Sequence, residues 1–207
     1  MTILTCALIA DGSSDRALIP LIKLLLREHF QSPFEEPQLI QGDRPDLVSR
    51  IKDALDKFAI DILFVHRDAE NENYRCRESE IQQAVPPGRT DSVICVIPIK
   101  MTETWLLTDA IAIRCAVGNP NSEVALPLPK ADKLEACQAQ DVLFGVLTIA
   151  SELGAQRRRK FKPEQYRHRV AELTSDLKLL RQIPSFKRFE DALLHCLKKY
   201  GESAKQT

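Results

Sequence analysis

The stretch from Ile60 to Glu72, IDILFVHRDAENE, limits the possible folds more than any other part of the chain. From Ile60 to His66 it is mostly β-branched or large and apolar, the composition of a strand covered on both faces, and such strands belong to parallel sheets with helices above and below. The run then breaks abruptly into charge. Asp68 and Glu70 lie two residues apart, so in a chain that stays extended both carboxylates point the same way. Like charges held that close repel, and either protonation of one or a bound cation relieves them. A divalent metal is therefore the first expectation.

The rest of the chain supplies partners for that strand. Ile3 to Ala10 (ILTCALIA) and Ser92 to Ile99 (SVICVIPI) are further buried strands, and Pro37 to Gln41 is a short one. Asp11-Gly12-Ser13-Ser14-Asp15 forms a turn with helix-capping residues, and a helix follows to about Phe30 with Leu18, Leu21, Ile22 and Leu25 on one face. Pro20 falls near its start, where a proline can distort a helix. A second helix has Pro45 in its first turn and an apolar stripe of Leu47, Ile51, Leu55 and Phe58. A short helix is expected around Glu78 to Ala84, and another, capped by Thr102, from Glu103 towards Gly118. Beyond a Pro- and Asn-rich loop to Lys130 the pattern is helical only: Ala131 to Leu153, Pro163 to Leu173, Asp176 to Gln182 and Ser185 to Tyr200, with a frayed tail after Gly201. Strands alternating with helices predict an α/β fold, a mainly parallel sheet of four or more strands with helices on both faces, followed by a C-terminal helical segment. Residues 1–118 are expected to form the α/β domain and residues 119–207 a helical extension packed on it.

In a parallel sheet all carboxyl ends lie on one edge, where ligands usually bind. Asp11 follows the first strand, Asp68 and Glu70 the third, and Glu103 the fourth, so separate loops deliver acids to one rim. Oxygen ligands of this kind suit Mg²⁺ or Mn²⁺, and a metal so placed suits phosphate chemistry. Each acid also has a plainer role: Asp11 in a turn, Glu103 at a helix start, Asp68 and Glu70 in a solvated loop. His66 and Arg67 flank the acids, and Lys100 could neutralise charge in a transition state or pair with Glu103. The Gly12-Ser13-Ser14 turn offers backbone amides to a phosphate.

Other chemistries lack their motifs. There is no GxxxxGK[ST], no GxGxxG and no GxSxG, and the six cysteines show no zinc spacing. Nothing near Met1 reads as a signal or a membrane span, and a cytoplasmic protein is expected. Net charge is zero but unevenly placed: residues 1–150 hold 15 Lys/Arg against 22 Asp/Glu, and residues 151–207 hold 14 against 7. Much of that basic excess is the segment Gln156 to Arg169, with Arg157, Arg158, Arg159 and Lys160 in a row and Phe161 and Tyr166 interleaved. It suits a nucleic-acid backbone with one or two stacking rings, and equally a solvated loop between helices.

The segments LIADGSSD, ILFVHRDAEN, PIKMTETWLL and LRQIPSFKRFEDAL resemble the Toprim pattern of topoisomerases, primases and the nucleases of the overcoming-lysogenization-defect family, and within that group an uncharacterised bacterial family of Toprim-like proteins. The resemblance implies Mg²⁺ held by Asp68 and Glu70, with Asp11 as a further ligand or general acid/base, and Glu103 as the acid of a TExW-like segment. It also implies nucleic acid as substrate and an ATPase as a partner; from their own positions, Arg67, Arg157, Arg158, Arg159 and Lys160 are the expected nucleic-acid contacts and Lys100 an expected catalytic residue. Toprim domains usually carry Glu at the position of Asp11 and Asp at that of Glu70. Those exchanges keep the charge and either compensate in reach or mark a site without catalysis. Two expectations follow: a metal-dependent phosphodiesterase, or a non-catalytic module docking on an ATPase. A receiver-like phosphoacceptor role for Asp68, beside Asp11 and Lys100, fits less well because the lysine follows the fourth strand.

Overall fold

The apolar runs do become strands. A computed structural model describes residues 3–41, 46–70 and 73–200. In it β1 (Cys6–Ile9), β2 (Gln38–Ile40), β3 (Ile62–His66) and β4 (Val93–Val96) form one sheet in the order β2-β1-β3-β4, and every pairing is parallel. β1 and β3 lie in the middle and are buried along their whole length, as their unbroken hydrophobicity requires, whereas β2 is a half-exposed edge.

Alternate residues of the strands face two separate cores. Ala7, Ile9, Leu63 and Val65 face α2 (Leu47–Lys57) and α3 (Tyr74–Ala84), meeting Leu47, Ile51, Ala54, Ile81 and Ala84. Leu8, Phe64, Ile94 and Val96 face the opposite way, into a larger core with α1 (Leu18–His29) and the C-terminal helical segment. That segment comprises α4 (Glu103–Leu106), α5 (Ala110–Ala116), α6 (Ala139–Ala150), α7 (Ala155–Arg158), α8 (Arg167–Leu173) and α9 (Pro184–Leu197). The chain is thus an α/β fold with helices on both faces and a helical C-terminal part.

An aromatic cluster fastens α9 to the sheet. Phe189 meets Phe64 of β3 edge-on at 6.0 Å and stacks on Trp105 at 5.8 Å, and the Trp105 Nε1–H donates to Ser185 Oγ at 3.0 Å. Such ring pairs add about 0.5–1.5 kcal/mol each to the area they bury. Beside them Glu190, only 2 % exposed, accepts from Arg181 Nη2 at 2.7 Å and lies 2.9 Å from His29 Nε2, joining α9 to the end of α1.

The elements depart from the sequence expectations in ways with local causes. Residues Ser13–Ala17 form a 3₁₀ turn, so α1 begins at Leu18 and Pro20 falls in its first turn, where no intrahelical N–H is needed. The helix expected from Glu103 to Gly118 is two helices, because Asp109 caps a new start by accepting from Ala112 N–H at 2.8 Å. Thr102 does not cap α4 with its side chain; its hydroxyl is buried towards His66. The stretches expected as helices at 131–153, 163–173 and 176–182 begin, or remain, as 3₁₀ turns. Pro45, with its expected place in the first turn of α2, and the tail from Gly201 lie outside the described residues.

Candidate functional site at the carboxyl edge of the sheet

The chain leaves β1 towards β2 on one side and returns to β3 on the other, so the strand order reverses between β1 and β3. At such a reversal the two connections diverge and open a crevice at the carboxyl ends of the strands. Asp11 lies just past β1 and Asp68 just past β3, so each flanks that crevice.

The chain beyond β3 is held against the continuation of β4: Arg67 N–H donates to Val96 O and Ala69 N–H to Pro98 O. This fixes Asp68 with Oδ1 buried and without a hydrogen-bond partner among the described residues, while 28 % of the side chain stays open. Burial first, and then the charges of Asp15, Glu103, Glu70 and Asp11, push its pKa up to about 8. At neutral pH this carboxyl group either keeps its proton or calls for a cation. The chain does not remain extended to Glu70, whose φ of 53° turns the backbone and leaves the side chain exposed. The two carboxylates therefore do not share one strand face, though Glu70 still acts on Asp68 through charge.

His66 forms the floor. It is 2 % exposed, and its Nδ1 lies 3.0 Å from the Val96 carbonyl, which can only accept; the proton is therefore on Nδ1 and the Nε2 lone pair is free. Nε2 points at carboxyl oxygens, 3.5 Å from Asp68 Oδ1 and 3.8 Å from Asp15 Oδ1, with Thr102 Oγ1 also at 3.5 Å. Burial lowers the imidazole pKa against the pull of Asp15 and Asp11, which keeps the ring neutral. Asp15 is the residue that sequence reasoning passed over as a turn-former. Its Oδ2 accepts from Gly12 N–H at 2.9 Å, and that local bond turns Oδ1 inward. A second acid four residues after Asp11 was the available signal.

The remaining candidates are distributed around this centre. Asp11 is half exposed and clamped by arginines: Arg50 Nη1 donates to Oδ1 at 2.9 Å, Arg67 Nε lies 3.4 Å from Oδ2, and Arg50 also donates to the Ala10 carbonyl. Arg67, expected to meet nucleic acid, divides its charge between Asp11 and Glu80. Glu103 is 5 % exposed and paired with Arg167 at 2.7 Å, which ties α8 to the rim. Lys100 turns the chain at φ 68° after β4, and its charge acts on the Cys137 thiol just before α6. Arg157, Arg158, Arg159 and Lys160 stand exposed on and just after α7.

No family model, no curated protein and no solved structure matches this chain. What the site does must therefore be read from its own geometry. Among the described residues, no group of three or more His, Cys, Asp and Glu side chains is arranged to hold a metal ion. Of the four acids expected to form such a set, Asp11 and Glu103 are engaged by arginines and Glu70 points to solvent. Asp68 alone combines a buried, unpartnered oxygen with surrounding negative charge, the electrostatic setting that a cation would relieve. No helix among the described residues is long and apolar enough to cross a membrane.

Proposed function

We propose that the chain is a Toprim-like, Mg²⁺- or Mn²⁺-dependent phosphodiesterase that cleaves DNA or RNA in the crevice between β1 and β3. The observation carrying this reading is Asp68: an acid at the strand-order reversal, with one oxygen buried and unpartnered among the described residues and its pKa lifted by burial and neighbouring carboxylates. A site that suppresses ionisation of its central acid suits a divalent cation, which would compensate the carboxylate charge and offer the orphaned oxygen a partner. Asp68 would hold it, with Asp15 and Glu103 as the largest contributors of surrounding charge. Such a cation would supply polarisation of a phosphoryl oxygen.

The chain's own groups do the rest. His66, its Nδ1 held by the Val96 carbonyl and its ring kept neutral by burial, directs the Nε2 lone pair at Asp68 Oδ1, 3.5 Å away, and so orients the carboxyl group. Arg50 and Arg67 hold Asp11 at the mouth of the crevice, and Arg157 to Lys160 offer charge to a phosphate backbone.

One feature favours a second reading. Asp11 and Glu103 already have arginine partners, as they would in a closed structural cluster; the chain is then a non-catalytic module that docks on an ATPase. Titration of Mn²⁺ into wild type and Asp68→Asn by calorimetry, followed by oligonucleotide cleavage with the same samples, separates the two. Binding and cleavage lost together in a folded Asp68→Asn support the phosphodiesterase, and full cleavage by that variant removes Asp68 from its centre. A wild type that neither binds Mn²⁺ nor cleaves is the result expected of the docking module.

A further inference from the structure

Next to the acidic site lies a cleft of about 390 Å³ that the reaction centre does not use. One wall is the 3₁₀ turn after β1, with Ser13, Ser14 and Arg16; the other is the start of α8, with Gln165, Arg167 and His168. We infer that this cleft is a phosphate-binding subsite, seating a backbone phosphate of a nucleic-acid strand whose scissile bond lies at Asp68; the assignment rests on the phosphodiesterase reading above.

The donor set matches a group that can only accept. Two hydroxyls, a carboxamide, two guanidinium groups and an imidazole line the walls, against a single carboxylate, Glu164. The Arg16 side chain is exposed and makes no hydrogen bond or ion pair among the described residues, acting only at a distance on Glu36. Arg167 is only partly spent: Nη2 lies 2.7 Å from Glu103, whereas its buried Nε has no hydrogen-bond partner among the described residues.

Both walls also continue into the acidic site. Asp15 sits between Ser14 and Arg16 and reaches to 3.8 Å from His66 Nε2. Arg167 holds Glu103, whose charge in turn raises the Asp68 pKa. The cleft is thus joined to the Asp68 site through Asp15 on one wall and through Arg167 and Glu103 on the other.

Beyond the cleft the supply of unpaired cations continues. Arg157, Arg158, Arg159, Lys160 and Lys162 are exposed and have no ion-pair partner among the described residues, whereas Arg169, further along, is paired with Glu172. Phe161 stacks on Tyr166 at 5.0 Å, which folds the basic stretch back towards the start of α8. The positive excess of residues 151–207 therefore has a path leading into the cleft.

Fluorescence anisotropy of a labelled single-stranded oligonucleotide, measured over a range of salt concentrations in EDTA and in an Asp68→Asn background, reads this subsite without cleavage. Each phosphate contact on single-stranded nucleic acid contributes about 0.7 to the slope of log affinity against log salt. Arg16→Ala is expected to lower the slope by about that amount, and the triple change of Arg157, Arg158 and Arg159 to Ala by about 2. Lys57→Ala, on the far face of the sheet beside Asp53, is expected to change nothing. An unchanged slope in Arg16→Ala, whatever the triplet does, or no binding by the parent protein, overturns the subsite. Binding that depends on Arg16 in a protein that never cleaves keeps the subsite and discards the phosphodiesterase. Cleavage that is indifferent to Arg16 and to the arginine triplet does the reverse.

Discussion

Replacing Asp68 by Asn should make the protein more stable at alkaline pH while leaving it nearly unchanged in mild acid. In the folded chain the carboxyl pKa is pushed from the ordinary 3.8 up to about 8 by burial and by the surrounding acids. Between those values the folded state binds a proton that the unfolded state has released, so stability falls as pH rises, by up to about 1.4 kcal/mol per pH unit. The full interval would amount to about 6 kcal/mol, but with 28 % of the side chain open to water a loss of roughly 3 kcal/mol between pH 5 and pH 8 is the realistic size. The Asn side chain keeps the shape and has no proton to lose, so the variant's urea midpoint should be flatter over that range. Urea unfolding followed by the single tryptophan, Trp105, in EDTA at pH 5, 6.5 and 8 measures this directly. Adding Mn²⁺ at pH 8 should stabilise the wild type in proportion to RT ln(1 + [Mn²⁺]/Kd) and leave the variant alone. A variant that is less stable by the same amount at every pH would refute the reasoning, since Asp68 would then be a structural acceptor rather than a strained carboxyl group.

Two further substitutions test the packing that surrounds the site. Arg181→Ala strips the main cation from Glu190, whose carboxylate is disfavoured by burial but held below the usual pKa by hydrogen bonds from Arg181 and His29; the loss should be about 3 kcal/mol by urea unfolding at pH 7. The lowered Glu190 pKa gives stability that is present above the ordinary carboxylate range and lost as pH falls through the folded value, so the gap between variant and wild type should narrow in acid, and a constant gap would count against it. Ser185→Ala leaves the Trp105 N–H buried without its acceptor and should cost about 1–3 kcal/mol with a shift of the tryptophan emission; an unchanged spectrum and midpoint would show that the 3.0 Å bond contributes nothing.

The parallel sheet was legible because burial on both faces forces runs such as ILFVH, which no amphipathic helix would contain. Placement of Asp11 and Asp68 at one edge followed from strand direction alone. Side-chain partners were not legible, because they depend on distant elements: Arg50 reaches Asp11 from α2, and Arg167 reaches Glu103 from α8. Asp15 was hidden by its own sequence context, since an acid four residues into a Gly-Ser turn reads as a cap, and it does make that local bond with Gly12. The break at Asp109 and the left-handed turn at Glu70 show the same limit, local backbone choices overriding a pattern that would otherwise run on.

The contact between Phe64 and Phe189 has a consequence for how the chain reaches this state. One ring sits in the middle of the sheet and the other on the last long helix, so the larger core stays open until nearly all the polypeptide is available. Pairings between parallel strands already demand long loop closures, and α9 adds longer ones, such as His29 to Glu190 across 161 residues, which favours slow folding. On the ribosome, β1 to β4 would emerge with one face covered by α2 and α3 and the other covered only by α1, leaving Phe64 and Trp105 without Phe186 and Phe189. Truncation ahead of α9 should accordingly yield an aggregating chain rather than a smaller folded one.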